Sequence, residues 1–174
     1  GRNTGARTLE QTAAALFWTA NVIRQYNRLL RDVALGEHLS LLESARLQAL
    51  VNMIAADAQI SVMHAKYHFL FWRPVTAIDP TTVKPLPSDG FGPTPGYDDD
   101  NLATVEEVGW RPLIATPNHP EYPAAHGSIT SAIAEVFSTF LGTRHFHLTI
   151  YGFDPAGGAG NLNAARTFTS PNEL

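Results

Sequence analysis

Proline divides this chain more sharply than any other residue type. Residues 1–73 contain none, and Pro74–Ala125 holds ten of the twelve prolines in the 174-residue sequence. Proline has no backbone N–H and pushes the residue before it out of the helical region. A proline-free stretch followed by a proline-dense one therefore predicts helices, then an irregular and stiffened segment.

The first zone carries helical signals. Thr8 is placed to cap a helix whose apolar positions Leu16, Ala20, Ile23, Leu30 and Ala34 share helical spacing, with Gly36 as its stop. Ser40 and Glu43 have the spacing of a capping box. The helix that follows is predicted to reach Phe71. Its apolar residues Leu50, Met53, Ile54, Ile60, Val62 and Met63 point around most of the circumference, which predicts a buried central helix. Arg73-Pro74 ends it.

No periodicity persists from Pro74 to Ala125. Irregular segments of that length in a compact domain are commonly functional, so this one reads as a rigid loop wrapping a site. Its Asp98-Asp99-Asp100 run reads as a solvated turn, because the alternation of an EF-hand is missing. A further helix opens near His126. Ile129, Ile133, Phe137 and Phe140 recur at helical spacing, and Gly142 is its C-terminal stop. Beyond it Phe146, Leu148 and Ile150 alternate with polar residues, as in a strand, with Ala165–Thr169 as partner across Gly157-Gly158. The fold class is mainly α, a helical bundle with a long proline-rich loop and a small β-hairpin near the C-terminus, as one domain over residues 1–174.

Composition narrows the function. Charged residues are 16% of the chain, below the usual share of about 25%. That excludes a solvating or disordered chain and implies a large buried fraction or a surface that packs on something else. The net charge of −4 offers no general basic field, which argues against nucleic-acid binding. With no cysteine there are no disulfides, thiolate metal sites or cysteine nucleophile. No apolar run approaches the length of about 18 residues needed to span a bilayer, and no signal peptide is visible. The expectation is a soluble protein acting on a small molecule; homo-oligomerisation and compartment stay open.

Few residues could carry chemistry. On a continuous helix Lys66 and Arg73, seven apart, would return to one face after two turns. Two cations projecting into one space need an anion between them, unless they are only snorkelling at a helix end. His126 opens a helix, where free N–H groups favour anions and an imidazole can move protons near neutral pH. His119 lies seven residues earlier, where a loop histidine is most often solvated. His145 and His147 would share one strand face, but further ligands at metal-site spacing are missing, so a plain strand fits as well. Gly157-Gly158-Ala159-Gly160 lacks the context of a dinucleotide loop.

Together the segments resemble the superfamily of vanadium haloperoxidases and type 2 phosphatidic-acid phosphatases. Its first motif, Lys-x6-Arg-Pro, is matched by Lys66 to Arg73-Pro74. Its second, Pro-Ser-Gly-His, is matched in part by Pro123-Ala124-Ala125-His126. The flanks Phe71-Trp72-Arg73-Pro74-Val75-Thr76, Trp110-Arg111-Pro112-Leu113 and Thr116-Pro117-Asn118-His119-Pro120-Glu121-Tyr122-Pro123 are similar to soluble haloperoxidase-like members. The resemblance implies a helical bundle with the site at its core. It implies that Lys66 and Arg73 bind the oxygens of vanadate or phosphate, assisted by the Ala125 backbone N–H. It assigns His126 the acid–base role, and puts His119 where haloperoxidases place an aromatic or a histidine beside the halide and peroxide. Many soluble relatives are exported.

Two departures qualify this. Ala124 and Ala125 replace the Ser and Gly of the second motif, and loss of the hydroxyl weakens oxyanion binding by about 1–3 kcal/mol. The third motif, a Ser-Arg followed by the histidine that ligates vanadium or attacks phosphorus, has no match after His126. That covalent histidine is expected outside this chain, and turnover is not expected from the chain alone. The implied function is oxidation of halide by peroxide with vanadate as cofactor. The alternatives are a phosphomonoesterase on the same residues, with phosphate in place of vanadate, and a non-catalytic module that binds an anion or a partner.

Overall fold

Two side-chain caps decide how the N-terminal helices begin. The computed structural model describes residues 7–79, 81, 107–145, 147–157, 161–170 and 173. The Thr8 hydroxyl accepts from the Gln11 N–H, and the Gln11 side chain accepts from the Thr8 N–H. This capping box starts α1, Leu9–Phe17. The spacing predicted one helix from Thr8 to Gly36, but the chain breaks after Phe17. Asn21 then caps a second helix, α2, Val22–Gly36, by accepting from the Arg24 N–H. Asparagine competes with helical backbone for hydrogen bonds, so it restarts a helix more readily than it continues one. Ile23, expected on the apolar face, is 66% exposed.

The capping box at Ser40 and Glu43 forms as expected and opens α3, Leu41–Phe69. The helix stops short of Phe71, with Leu70 in the left-handed region at φ 49°. It is not buried all round: Met53 and Ile60 are 65% and 67% exposed. Its buried face is one stripe, with Leu47, Val51, Val62 and Lys66 buried and Ala55 and Ala58 partly so. These positions are three or four apart, the repeat of a single helical face.

Pro74 does not only end a helix. It begins a short one, α4, Pro74–Ile78, with Arg73 at the N-cap in an extended conformation. The expected irregular loop is thus helical at its start; residues 107–124 are irregular, with a cis Tyr122–Pro123 peptide. The aspartate run 98–100, Phe146 and the glycines at 158 and 160 lie outside the described residues. Helix α5, Ala125–Leu141, follows, and Gly142 closes it at φ 69°, a conformation glycine adopts without strain. Strands β1, Leu148–Gly152, and β2, Ala164–Phe168, form the expected antiparallel hairpin, with Ile150 opposite Arg166.

The chain divides into two compact units. One comprises Arg7–Ile60 with His126–Leu174. Its core joins Phe17 of α1, Tyr26, Leu29, Leu30 and Val33 of α2, Leu47 and Val51 of α3, Ile129, Ile133 and Phe137 of α5, and Leu148 and Ile150 of β1. The Tyr26 hydroxyl pairs with the Thr130 hydroxyl at 2.5 Å, and burial raises the Tyr26 pKa above its ordinary value. Gly152 is required by close approach, since a Cβ there would enter the Phe17 ring. The other unit contains Ser61–Ala125 and carries the end of α3, α4 and the irregular segment. No described helix is long and apolar enough to cross a membrane.

Candidate oxyanion site

Lys66 is 2% exposed because it occupies the last position of the buried α3 stripe. A buried ammonium needs acceptors for its three donors. Its Nζ donates to the carbonyl oxygens of Pro120 at 2.8 Å and Glu121 at 2.6 Å. Burial lowers the Lys66 pKa from its ordinary value, Arg73 lowers it further, and Glu121 opposes both.

Arg73 reaches the same segment from a different element. The spacing argument put both cations on one helix, but α3 ends at Phe69 and Arg73 sits at the N-cap of α4. They meet because residues 119–121 run between them. Arg73 Nε donates to the His119 carbonyl at 2.8 Å, and Nη1 donates to Glu121 Oε2 at 2.7 Å. Nη2 lies 2.8 Å from His119 Nδ1. The same Nδ1 lies 3.1 Å from the Pro120 carbonyl, so the ring sits between the guanidinium and the backbone. The Glu121 N–H donates to the Phe71 carbonyl at 2.9 Å, holding the segment at a third point.

The structure therefore gathers Lys66, Arg73 and His119 around one tripeptide and adds Glu121. The sequence did carry a signal for Glu121: it is the one acid between Trp110 and His126, beside two cations that need an anion. Tyr122 follows it and meets Phe69 and Phe71 edge-on at 5.9 and 6.5 Å, all three rings more than half exposed. Ala125 is the first residue of α5. His126 follows in its first turn, exposed, and belongs to the unit of Arg7–Ile60 and His126–Leu174.

A second cluster in the Ser61–Ala125 unit anchors the irregular segment. Asp79, fully buried, accepts from the Thr81 hydroxyl at 2.6 Å and N–H at 3.0 Å, and pairs with Arg111 Nη1 at 2.5 Å. The Thr81 hydroxyl, helped by Arg111 and against the effect of burial, lowers the Asp79 pKa to about 2. The Glu107 N–H donates to the Ile78 carbonyl beside it. Sequence reasoning missed this cluster, although Asp-Pro-Thr at residues 79–81 is a turn signature.

His145 and His147 are exposed, and His145 lies before β1. Among the described residues no group of three or more His, Cys, Asp or Glu could hold a metal ion. A groove of about 850 Å³ between α3 and α5, walled by Leu39, Leu50, Ile54, Val136 and Phe140, contains none of the candidate site residues.

A mainly helical chain whose buried Lys66 and capping Arg73 converge on a segment just before Pro123-Ala124-Ala125-His126 has the features of the haloperoxidase class. Residues 46–171 match the VCPO second helical-bundle domain, and the chain belongs to that family. It is 27% identical to the vanadium chloroperoxidase of Curvularia inaequalis over 82% of its own length. The chain spans about a quarter, 24%, of that relative. No solved structure matches it.

Proposed function

We propose that this chain supplies the cationic part of an oxyanion site in a vanadate-dependent haloperoxidase that oxidises halide with hydrogen peroxide. The observation that carries the reading is the convergence of Lys66 and Arg73 on residues 119–121. Both side chains are donors only, as an oxyanion requires. The Arg73 guanidinium already holds an anionic oxygen, that of Glu121, so its chemistry suits the group. Lys66 and Arg73 would hold the vanadate oxygens, with the Ala125 N–H as a further donor. Vanadate, when bound, supplies a Lewis acid toward peroxide.

The remaining work falls to imidazoles. His126 would serve as the acid–base residue. His119, its Nδ1 held 2.8 Å from Arg73 Nη2, would stand beside the halide and peroxide. The name of the Curvularia relative supports vanadium chemistry for this family, and the halide is its substrate. The covalent histidine ligand would come from outside these residues.

Phosphate has the same shape and charge distribution as vanadate, so the same donors serve a phosphatase. Calorimetric titration with vanadate and with phosphate, on the native chain and on Arg73→Ala, tests the reading. Loss of binding in Arg73→Ala supports the clamp, and unchanged affinity refutes it. In a protein that includes the third-motif histidine, peroxide-dependent bromide oxidation supports the haloperoxidase. Phosphomonoester hydrolysis without it assigns the phosphatase.

A further inference from the structure

Between Leu41 and Ile60, helix α3 carries two apolar stripes, and the fold covers one of them. Leu47 and Val51 enter the core. On another side Leu42, Leu50, Met53 and Ile60 are all exposed. Arg46 and Asp57, also exposed, fall on the same side. From Leu42 through Arg46, Leu50, Met53 and Asp57 to Ile60 each step is three or four residues, the repeat of one helical face and of a helix–helix seam. All six residues belong to the unit of Arg7–Ile60 and His126–Leu174.

Exposed apolar residues on a helix are common and by themselves mean little. The charges among them go further. The Arg46 and Asp57 side chains make no hydrogen bond or ion pair among the described residues. Eleven residues apart, they are separated by about 16 Å along the axis, too far to pair within one chain. They are also placed symmetrically. Arg46 stands four residues before Leu50, and Asp57 stands four after Met53. Turned end for end, the stripe is therefore complementary to itself in both charge and apolar content.

We propose that this face of α3 pairs with the same face of a second copy of the chain, antiparallel, about a two-fold axis between residues 51 and 52. Arg46 then faces the partner's Asp57, and Asp57 faces the partner's Arg46, so one contact is made twice. Leu50 faces the partner's Met53 at the centre. In a parallel pair each charge would face its own copy, so the charges select the direction as well as the register. The groove of about 850 Å³ walled by Leu50, Ile54, Val136 and Phe140 opens beside this centre. It offers a hole to the partner's Met53, a side chain that adapts to irregular gaps. The low charged share of the chain, 16%, agrees with a surface that packs on another. The pairing involves neither Lys66 nor Arg73 and does not depend on the haloperoxidase reading.

The test is sedimentation velocity of the full chain from micromolar to near-millimolar concentration. The expected result is a monomer–dimer equilibrium. Arg46→Glu and Asp57→Arg should each weaken the dimer about tenfold or more, because each turns two attractive contacts repulsive. An equimolar mixture of the two variants should recover an affinity within about threefold of the native chain, since both crossed contacts are attractive again between unlike copies. Asp32→Arg, at an exposed position of α2, should leave the equilibrium unchanged. Every substituted position is exposed, and matching circular dichroism spectra and melting temperatures certify the folds. Recovery in the mixture cannot arise from a folding defect in either variant. Three results would each overturn the proposal. They are a monomer at every concentration, a dimer that neither charge reversal weakens, or a mixture no tighter than the single variants.

Discussion

Glu121→Gln separates the fold's use of Arg73 from the ligand's use of it. The Glu121 carboxylate sits on Arg73 Nη1 at 2.7 Å, with the side chains 17% and 41% exposed for Arg73 and Glu121. A buried charge-assisted hydrogen bond contributes about 1.5–3 kcal/mol, but a pair with one partner this exposed is screened toward about 1 kcal/mol or less. The amide introduced by Glu121→Gln still accepts from Arg73, so the substitution removes only the charge. An oxyanion that takes the Nη1 donor now held by Glu121 must displace the carboxylate, and that contribution is then subtracted from its affinity. Glu121→Gln should therefore tighten vanadate or phosphate about fivefold, the equivalent of about 1 kcal/mol. It should lower the melting temperature by about 2–4 °C. The assay is a vanadate titration of Glu121→Gln and of the native chain. Unchanged affinity in Glu121→Gln, while Arg73→Ala still abolishes binding, would refute the competition.

Three further outcomes follow from other parts of the molecule. The Asp79 pKa is about 2 in the fold against 3.8 as a free side chain, so the unfolded state binds more protons between those values. Stability present above pH 3.8 is therefore lost as pH falls toward about 2, and Asp79→Asn should flatten that loss in acid titrations followed by circular dichroism. Gly152→Ala drives a methyl into the Phe17 ring, which is 2% exposed and cannot move aside. It should destabilise by about 1–3 kcal/mol in urea unfolding, and a neutral result would show that α1 adjusts freely. Phe137→Ala removes a ring with no exposure and should cost about 3–5 kcal/mol in the same measurement.

The helices were legible where one periodicity ran uninterrupted to a clear stop. Ile129, Ile133, Phe137 and Gly142 defined α5, and Leu148 with Ile150 defined β1, because burial and backbone preference agree there. Legibility failed where a side chain overrode the pattern. Asn21 stops one helix and starts another by a hydrogen bond that a count of apolar positions does not see. On α3 the apolar residues outnumber what one face can bury, and the stripe emerges only from Leu47, Val51 and Val62. Lys66 was legible as chemistry but not as burial: its position on that stripe is visible only once the exposed Met53 and Ile60 are set aside. For Arg73 helical spacing pointed to the wrong geometry, since the residue lies at the N-cap of α4 and not on α3. The two cations converge through residues 119–121, a tertiary arrangement that helical spacing does not encode.

That arrangement has a consequence for how the site must work. Two neighbouring cations, one of them buried, would repel and destabilise the fold unless compensated. Here the compensation is internal: the carbonyls of Pro120 and Glu121 take the ammonium, and the His119 carbonyl and the Glu121 carboxylate take two donors of the guanidinium. An oxyanion that used these same donors would compete with residues 119–121 for them. Its binding would then be an exchange of partners, with an affinity set by the difference between two sets of hydrogen bonds. The same exchange links the clamp to His119, whose Nδ1 and carbonyl are both tied to Arg73. An anion that displaced the imidazole from Nη2 would change the hydrogen bonding and reach of His119. Nitrogen-15 chemical shifts of His119 report that change directly. Saturating vanadate should shift the His119 Nδ1 and Nε2 resonances, whereas shifts unaltered by a ligand that Arg73→Ala excludes would show that His119 stands apart from the exchange.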